Sequence, residues 1–351
     1  AWNHPNMPWN GTELFVAPFT VREDGVDIGP AERIAGGPET AVTQAFWSPS
    51  GTLHFCSDED GWWNLYSHPD GTPTALTELA AEIGTPHWVF GQSRYAFLDD
   101  GTIVFAAMAD GVDGGYRLSP DGTLHRLDLP FTDLSSVAAQ GDRVVANAAS
   151  FSLEPAIVRF VPTSDPPEVE VLSRPRDLGV GPEWFSVPEG ISFPSGVERR
   201  TAHALCYPPK NPDHEAPAGE APPLVVKIHG GPTSAARPQL SLGVQFWTSR
   251  GFAVVDVNYG GSTGYGRRYR ELLDGRWGIV DVEDCIAAAT HLAATDRADP
   301  ERLCITGGSA GGFTVLAALC ASDVFGAGAS HFGVADLEAL AVETHKFESR
   351  Y

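Results

Sequence analysis

The stretch Arg302 to Cys320 reads RLCITGGSAGGFTVLAALC, and the rest of the chain is organised around it. Leu303-Cys304-Ile305 is a short apolar run of strand type, and Phe313 to Cys320 is Ala/Leu-rich and of helix type. Between them lies the turn Gly307-Gly308-Ser309-Ala310-Gly311-Gly312, which centres Ser309 in G-x-S-x-G, the pattern of a nucleophile elbow. A strand that reverses sharply into a helix strains its central residue, and neighbours without side chains let the turn close. Such a turn lifts the serine oxygen clear of the sheet. It also points the Ala310 N–H toward a developing oxyanion. A glycine-rich turn that binds a phosphate, or nothing, is the alternative; the flanking strand and helix favour the nucleophile.

His229-Gly230-Gly231-Pro232 directly follows the apolar run Leu224 to Ile228, some 80 residues before the elbow. In α/β-hydrolases an H-G-G loop at this place supplies a second oxyanion N–H. Gly231 is the expected donor, with Gly230 second. His229 is expected to be structural, because the base follows the serine in this fold. Around these motifs strand and helix patterns alternate: Ala202 to Tyr207, Leu224 to Ile228, Gln239 to Arg250, Phe252 to Val257, Asp281 to Thr295 and Gly326 to His331. That rhythm predicts a parallel sheet covered by helices on both faces.

The first half reads differently. Gly51-Thr52-Leu53-His54-Phe55 matches Gly101-Thr102-Ile103-Val104-Phe105, 50 residues on. Each copy has a tyrosine 15 residues after its glycine, Tyr66 and Tyr116, and then a Pro-Asp-Gly turn. Weaker echoes occur at Asn10 to Val16 and Gly141 to Val145. All-strand repeats of this period predict propeller blades. About four fit, too few to close a ring, since open edges would be exposed. Trp47, Trp62, Trp63 and Trp88 are expected to pack between blades rather than line a channel. Asp58-Glu59-Asp60-Gly61 is expected to be an acidic turn rather than a cation loop. The repeat is expected to stop in the Pro/Glu/Asp/Ser-rich stretch 161–190. The expected architecture is a partial β-propeller of about four blades (1–180), then an α/β-hydrolase domain (181–351) incomplete at its C-terminus.

Composition sets limits. The 351 residues carry a net charge of −22, from 45 acids and 23 bases, which argues against nucleic acid and anionic membrane as partners. Five scattered cysteines without C-x-x-C suggest buried free thiols in a reducing, cytoplasmic compartment. No metal or cofactor motif is present.

HGGP, Asn258-Tyr259-Gly260-Gly261-Ser262-Thr263-Gly264-Tyr265-Gly266, Trp277-Gly278, Asp281-Val282-Glu283-Asp284 and GGSAGG together resemble the catalytic half of the prolyl oligopeptidase family. The acylaminoacyl-peptidase and dipeptidyl-peptidase-like branch is the nearer. Trp2 to Trp9 is similar to one of its blade segments. The resemblance implies a serine hydrolase acting on short peptides, with a propeller that restricts access, and relatives that often assemble as homo-oligomers. It also implies a base and an acid many tens of residues after the serine. Only 42 residues follow Ser309, and His331, His345, Asp323 and Asp336 are poorly placed for those roles. The chain is therefore expected to be a piece of a longer peptidase, nearly inactive by itself. A carboxylesterase on the same fold and a non-catalytic peptide-binding protein are the competing readings.

Overall fold

The computed structural model describes residues 1–346, Glu348 and Ser349. The first half is a succession of small antiparallel sheets. Glu13–Val16 pairs with Glu32–Gly36, and Phe19–Arg22 with Gly25–Ile28. Three four-stranded meanders follow, over residues 42–75, 95–127 and 133–173. The repeat has a physical basis. Phe55 lies opposite Tyr66 in the ladder with rings stacked 5.8 Å apart, and Phe105 lies opposite Tyr116 at 5.3 Å. Each aromatic pair is the cross-strand contact that fixes its hairpin register.

Of the four expected blades, three correspond to four-stranded sheets and the fourth only to the two short pairs near the N-terminus; the sheets close no ring among the described residues. The last strand of the pattern lies inside the stretch 161–190: Val169–Ser173 completes the last four-stranded sheet. Its Pro- and Glu-rich surroundings hid it, because an exposed edge strand carries no apolar alternation to read.

The second half is one six-stranded sheet in the order Glu189–Ser195, Arg200–Tyr207, Ala253–Asn258, Leu224–Ile228, Leu303–Gly308, Ala327–His331. Only the last four strands run parallel, and Arg200–Tyr207 pairs antiparallel with both its neighbours. The expected all-parallel sheet is therefore mixed. The strand Glu189–Ser195 was missed, because its alternation of buried and exposed residues starts inside a Pro- and Gly-rich segment. Helix Leu242–Thr248 packs on one face, while Val280–Ala294 and Ala310–Ala321 cover the other. Val226, Ile228, Val255, Val257, Ile305 and Val315 form the centre of this core. At about 25 cal/mol per Å² of apolar area, that burial is the main force holding the sheet in place.

Two ionic residues of the second half plug into the first. Arg270 bonds Asp58 (2.6 Å) and Glu82 (3.0 Å), and Arg267 bonds Asp58 at 2.8 Å. Asp58 to Gly61 is the expected acidic turn, closed by the Gly61 N–H on the Asp58 carbonyl at 2.9 Å, but the Asp58 side chain is buried and paired. Arg270 also lies over the Trp63 ring, 4.1 Å from its centre. Trp63 is buried as expected, but Trp47 is 60% exposed and packs in no core. The cysteines form no disulfide among the described residues; Cys56, Cys206 and Cys285 are buried, whereas Cys320 is exposed. No described helix is long and apolar enough to cross a membrane.

Candidate active site

Ser309 stands between the strand Leu303–Gly308 and the helix Ala310–Ala321, with φ 56° and ψ −123°. That region is nearly closed to residues with a Cβ, so the turn stores about 1–3 kcal/mol. Close approach of backbone explains the glycines. A methyl group on Gly311 would lie 2.6 Å from the Ile228 carbonyl oxygen, and one on Gly307 would lie 2.6 Å from the Gly311 carbonyl oxygen. The turn is held by the Ser309 N–H donating to the His331 carbonyl (3.1 Å) and by the Gly312 N–H donating to the Ser309 carbonyl (2.9 Å). The Ser309 side chain is exposed. Ala310 opens the helix, so its N–H is one of the donors an α-helix leaves without an internal partner.

The second candidate loop lies beside this turn because Leu224–Ile228 pairs with the elbow strand, Ile228 opposite Gly307. A methyl group on Gly230 would lie 3.4 Å from Ser309 Cβ and 3.9 Å from Ser309 Oγ. Gly231 follows at φ 124°, a conformation that favours glycine. The structure therefore brings together Ser309, Ala310, Gly230 and Gly231, the four residues singled out by sequence.

His229 is buried and stacked on Tyr259, with ring centres 4.4 Å apart. Its Nδ1 lies 2.8 Å from the Gly230 carbonyl oxygen, and its Nε2 2.8 Å from Ser262 Oγ. A carbonyl only accepts, so Nδ1 carries the proton and Nε2 accepts from the serine hydroxyl. Burial pushes the imidazole pKa down to about 4, against the opposing effect of the Gly230 carbonyl. His229 is thus a neutral loop residue and not a base.

Two acids fix the surroundings. Asp281 accepts the Gly278 N–H (2.7 Å) and the Thr314 hydroxyl (2.5 Å), tying the elbow helix to the Trp277-Gly278 turn. Burial raises its pKa, and those hydrogen bonds oppose the shift. Asp284 accepts the Gly260 N–H (2.7 Å) and pairs with Arg200 at 2.6 Å. Sequence showed both only as members of the Asp281-Val282-Glu283-Asp284 motif at the start of a helical pattern; their partners lie up to 84 residues away.

The remaining histidines of this region do not join the serine. His331 contributes its backbone carbonyl, and its side chain is exposed at the sheet edge. The His345 side chain is 66% exposed and lies 3.8 Å from Glu348. Among the described residues, the hydrogen bonds of Ser309 are backbone ones. No described group of three or more His, Cys, Asp or Glu side chains could hold a metal.

A cavity of about 730 Å³ lies between the two halves and reaches the glycine loop at Gly231. Gly231, Thr233 and Arg237 line it from the sheet side, and Trp88, Arg94 and Asp133 from the small sheets. Trp88, expected only to pack, faces this cavity, and its indole N–H donates to the Thr233 carbonyl at 2.8 Å. It also meets Trp9, with ring centres 4.6 Å apart.

Comparison with known proteins gives the context. Residues 238–351 match the model of the prolyl oligopeptidase family. The chain superposes over its whole length on a puromycin-hydrolyzing peptidase of Mycobacterium tuberculosis, with a TM-score of 0.93 and 40% identity, covering 54% of that protein. A puromycin hydrolase gives 0.93 and 42%, with 53% of its length covered. The acylamino-acid-releasing enzyme of Arabidopsis thaliana is 39% identical over 95 residues, which are 27% of this chain and 12% of the plant enzyme. An uncharacterized peptidase of Bacillus subtilis (strain 168) is 27% identical over 260 residues, 71% of this chain and 38% of that protein. The chain thus spans about half the length of the solved relatives it matches.

Proposed function

We propose, on the premise that the chain belongs to the prolyl oligopeptidase family of serine peptidases, that it carries the nucleophile and oxyanion hole of an enzyme that hydrolyses short peptides. The observation that carries this reading is the strained, exposed Ser309 beside the Gly230-Gly231 loop. Ser309 Oγ attacks the scissile carbonyl. The Oγ–C bond forms as the hydroxyl proton passes to a general base. The carbonyl oxygen then bears the negative charge, and the N–H groups of Ala310 and Gly231 receive it, with Gly230 as the second candidate on that loop. Each such donor is worth about 3 kcal/mol in comparable sites. Collapse breaks the C–N bond, the amine leaves with the proton, and water then hydrolyses the acyl-serine. The sequence resemblance implies a histidine base oriented by an aspartate; this chain's His229 is excluded by its buried, neutral loop role.

The proposed organisation is a partial propeller, residues 1–180, that limits access to an α/β-hydrolase domain, residues 181–351. The cavity between the halves, with Gly231 in its wall, supports that arrangement. The chain's similarity to a puromycin hydrolase and to an acylamino-acid-releasing enzyme supports small amide and peptide substrates. The unpaired cysteines support a cytoplasmic setting. The test is hydrolysis by the full gene product of fluorogenic peptides of two to five residues, beside a large unfolded protein such as casein. Cleavage of the short substrates alone, abolished by Ser309→Ala, is expected. Equal cleavage of casein, or activity surviving Ser309→Ala, would overturn the proposal.

A further inference from the structure

The peptide that joins Gly230 to Gly231 has both of its polar ends accounted for by geometry. Its carbonyl is bonded to His229 Nδ1 at 2.8 Å. In a planar trans peptide the N–H points opposite to the carbonyl, so holding one end aims the other. The ring that does the holding is itself immobilised. Ser262 Oγ donates to its Nε2 at 2.8 Å, and Tyr259 stacks on its face. The Tyr259 hydroxyl reaches the carbonyls of His229 (3.3 Å) and Pro232 (3.1 Å), so the same aromatic side chain pins the loop on both sides of the two glycines.

The loop is held from a second direction by the other half of the molecule. The Trp88 indole N–H donates to the Thr233 carbonyl, two residues beyond Gly231, across 145 positions of sequence. Next to it the Ser234 carbonyl accepts the Thr263 N–H at 2.8 Å, and the following Gly264 N–H donates to Glu82 at 2.5 Å. Glu82 and Trp88 belong to one segment of the small-sheet region. That segment grips both the Gly230–Ser234 loop and the Ser262–Gly264 loop that orients His229.

We propose that His229 and Trp88 are positioning residues for the oxyanion hole, which fix the Gly230–Gly231 peptide from the sheet side and from the small-sheet side. The inference rests on the peptidase reading above and adds to it that the hole is complete only when the two halves are docked. Neither residue touches the reacting atoms. Their effect is on how well a tetrahedral species is held, not on how well an unreacted peptide binds.

The test compares two ligands on the full gene product: a short peptide boronic acid, which forms a tetrahedral adduct on Ser309 Oγ, and the same peptide as its carboxylate. In His229→Ala and in Trp88→Phe, which keeps a ring but loses the N–H, boronate affinity should fall about tenfold or more. Affinity for the carboxylate peptide should stay within about twofold. His229→Asn, whose side-chain N–H can take the place of Nδ1–H, should recover most of the loss. Unchanged boronate affinity in both variants would overturn the inference, as would a parallel loss of both ligands. Absence of any Ser309 adduct in the unsubstituted protein would overturn the peptidase reading and this inference with it.

Discussion

Ser309 and His229 show how much a single position can carry. Ser309 is kept in a costly conformation by glycines that leave no room for a Cβ. Gly311→Ala places a methyl group against the Ile228 and His229 carbonyls, so the turn must open. The expected loss is about 3 kcal/mol or more of stability, in the range of strained or overpacked sites, read as a lower denaturant midpoint. His229 gives a pH signature. Its folded pKa lies near 4, below the unfolded value of about 6.5, so the unfolded chain binds the extra proton first. Stability owed to this residue is therefore full above about pH 6.5 and is lost as pH falls toward 4. A wild-type minus His229→Asn comparison of unfolding free energy should shrink by up to about 3 kcal/mol across that window. A flat difference between pH 7 and pH 4 would contradict the assigned burial and tautomer.

At the scale of elements, the local signals were legible and the distant ones were not. The elbow and HGGP stretches were readable because glycine and turn chemistry act within a few residues. Leu224–Ile228 has the bounds its apolar run predicts. The repeat was readable because Phe55/Tyr66 and Phe105/Tyr116 recur at matched offsets. The antiparallel entry strand Glu189–Ser195 starts inside the Pro/Glu/Asp/Ser-rich stretch, which carries no apolar run to mark it. The motif Asp281-Val282-Glu283-Asp284 was recognisable, but not what it does, since Thr314, Gly260 and Arg200 come from three other elements. That function is testable. Asp281→Ala leaves the Gly278 N–H and the Thr314 hydroxyl without their acceptor, at about 1–3 kcal/mol per group. The variant should lose about 3 kcal/mol in chemical denaturation while Asp281→Asn, which still accepts one bond, loses less. Equal losses would argue against the bond to Thr314.

For the whole molecule, the link between the halves is ionic and buried. Asp58, Glu82, Arg267 and Arg270 are each at most 13% exposed at the side chain. Burial raises the pKa of Asp58 and Glu82; Arg270 opposes both shifts, and Arg267 opposes that of Asp58. Such a cluster adds little net stability when complete but costs about 3–5 kcal/mol when one partner is removed. Arg270→Met should therefore destabilise the protein by about that amount, and Glu82→Gln added to it should recover part of the loss. The same contacts bring Trp88 and the Glu82 segment against the loops around Ser309. Ser309 is the proposed nucleophile. Fluorophosphonate labelling of the full gene product, with the modified residue located by mass spectrometry, tests it most directly, because such probes react with activated serines. A single adduct on Ser309 that disappears in Ser309→Ala is expected; an adduct on another residue, or one that persists in that variant, would rule Ser309 out as the nucleophile.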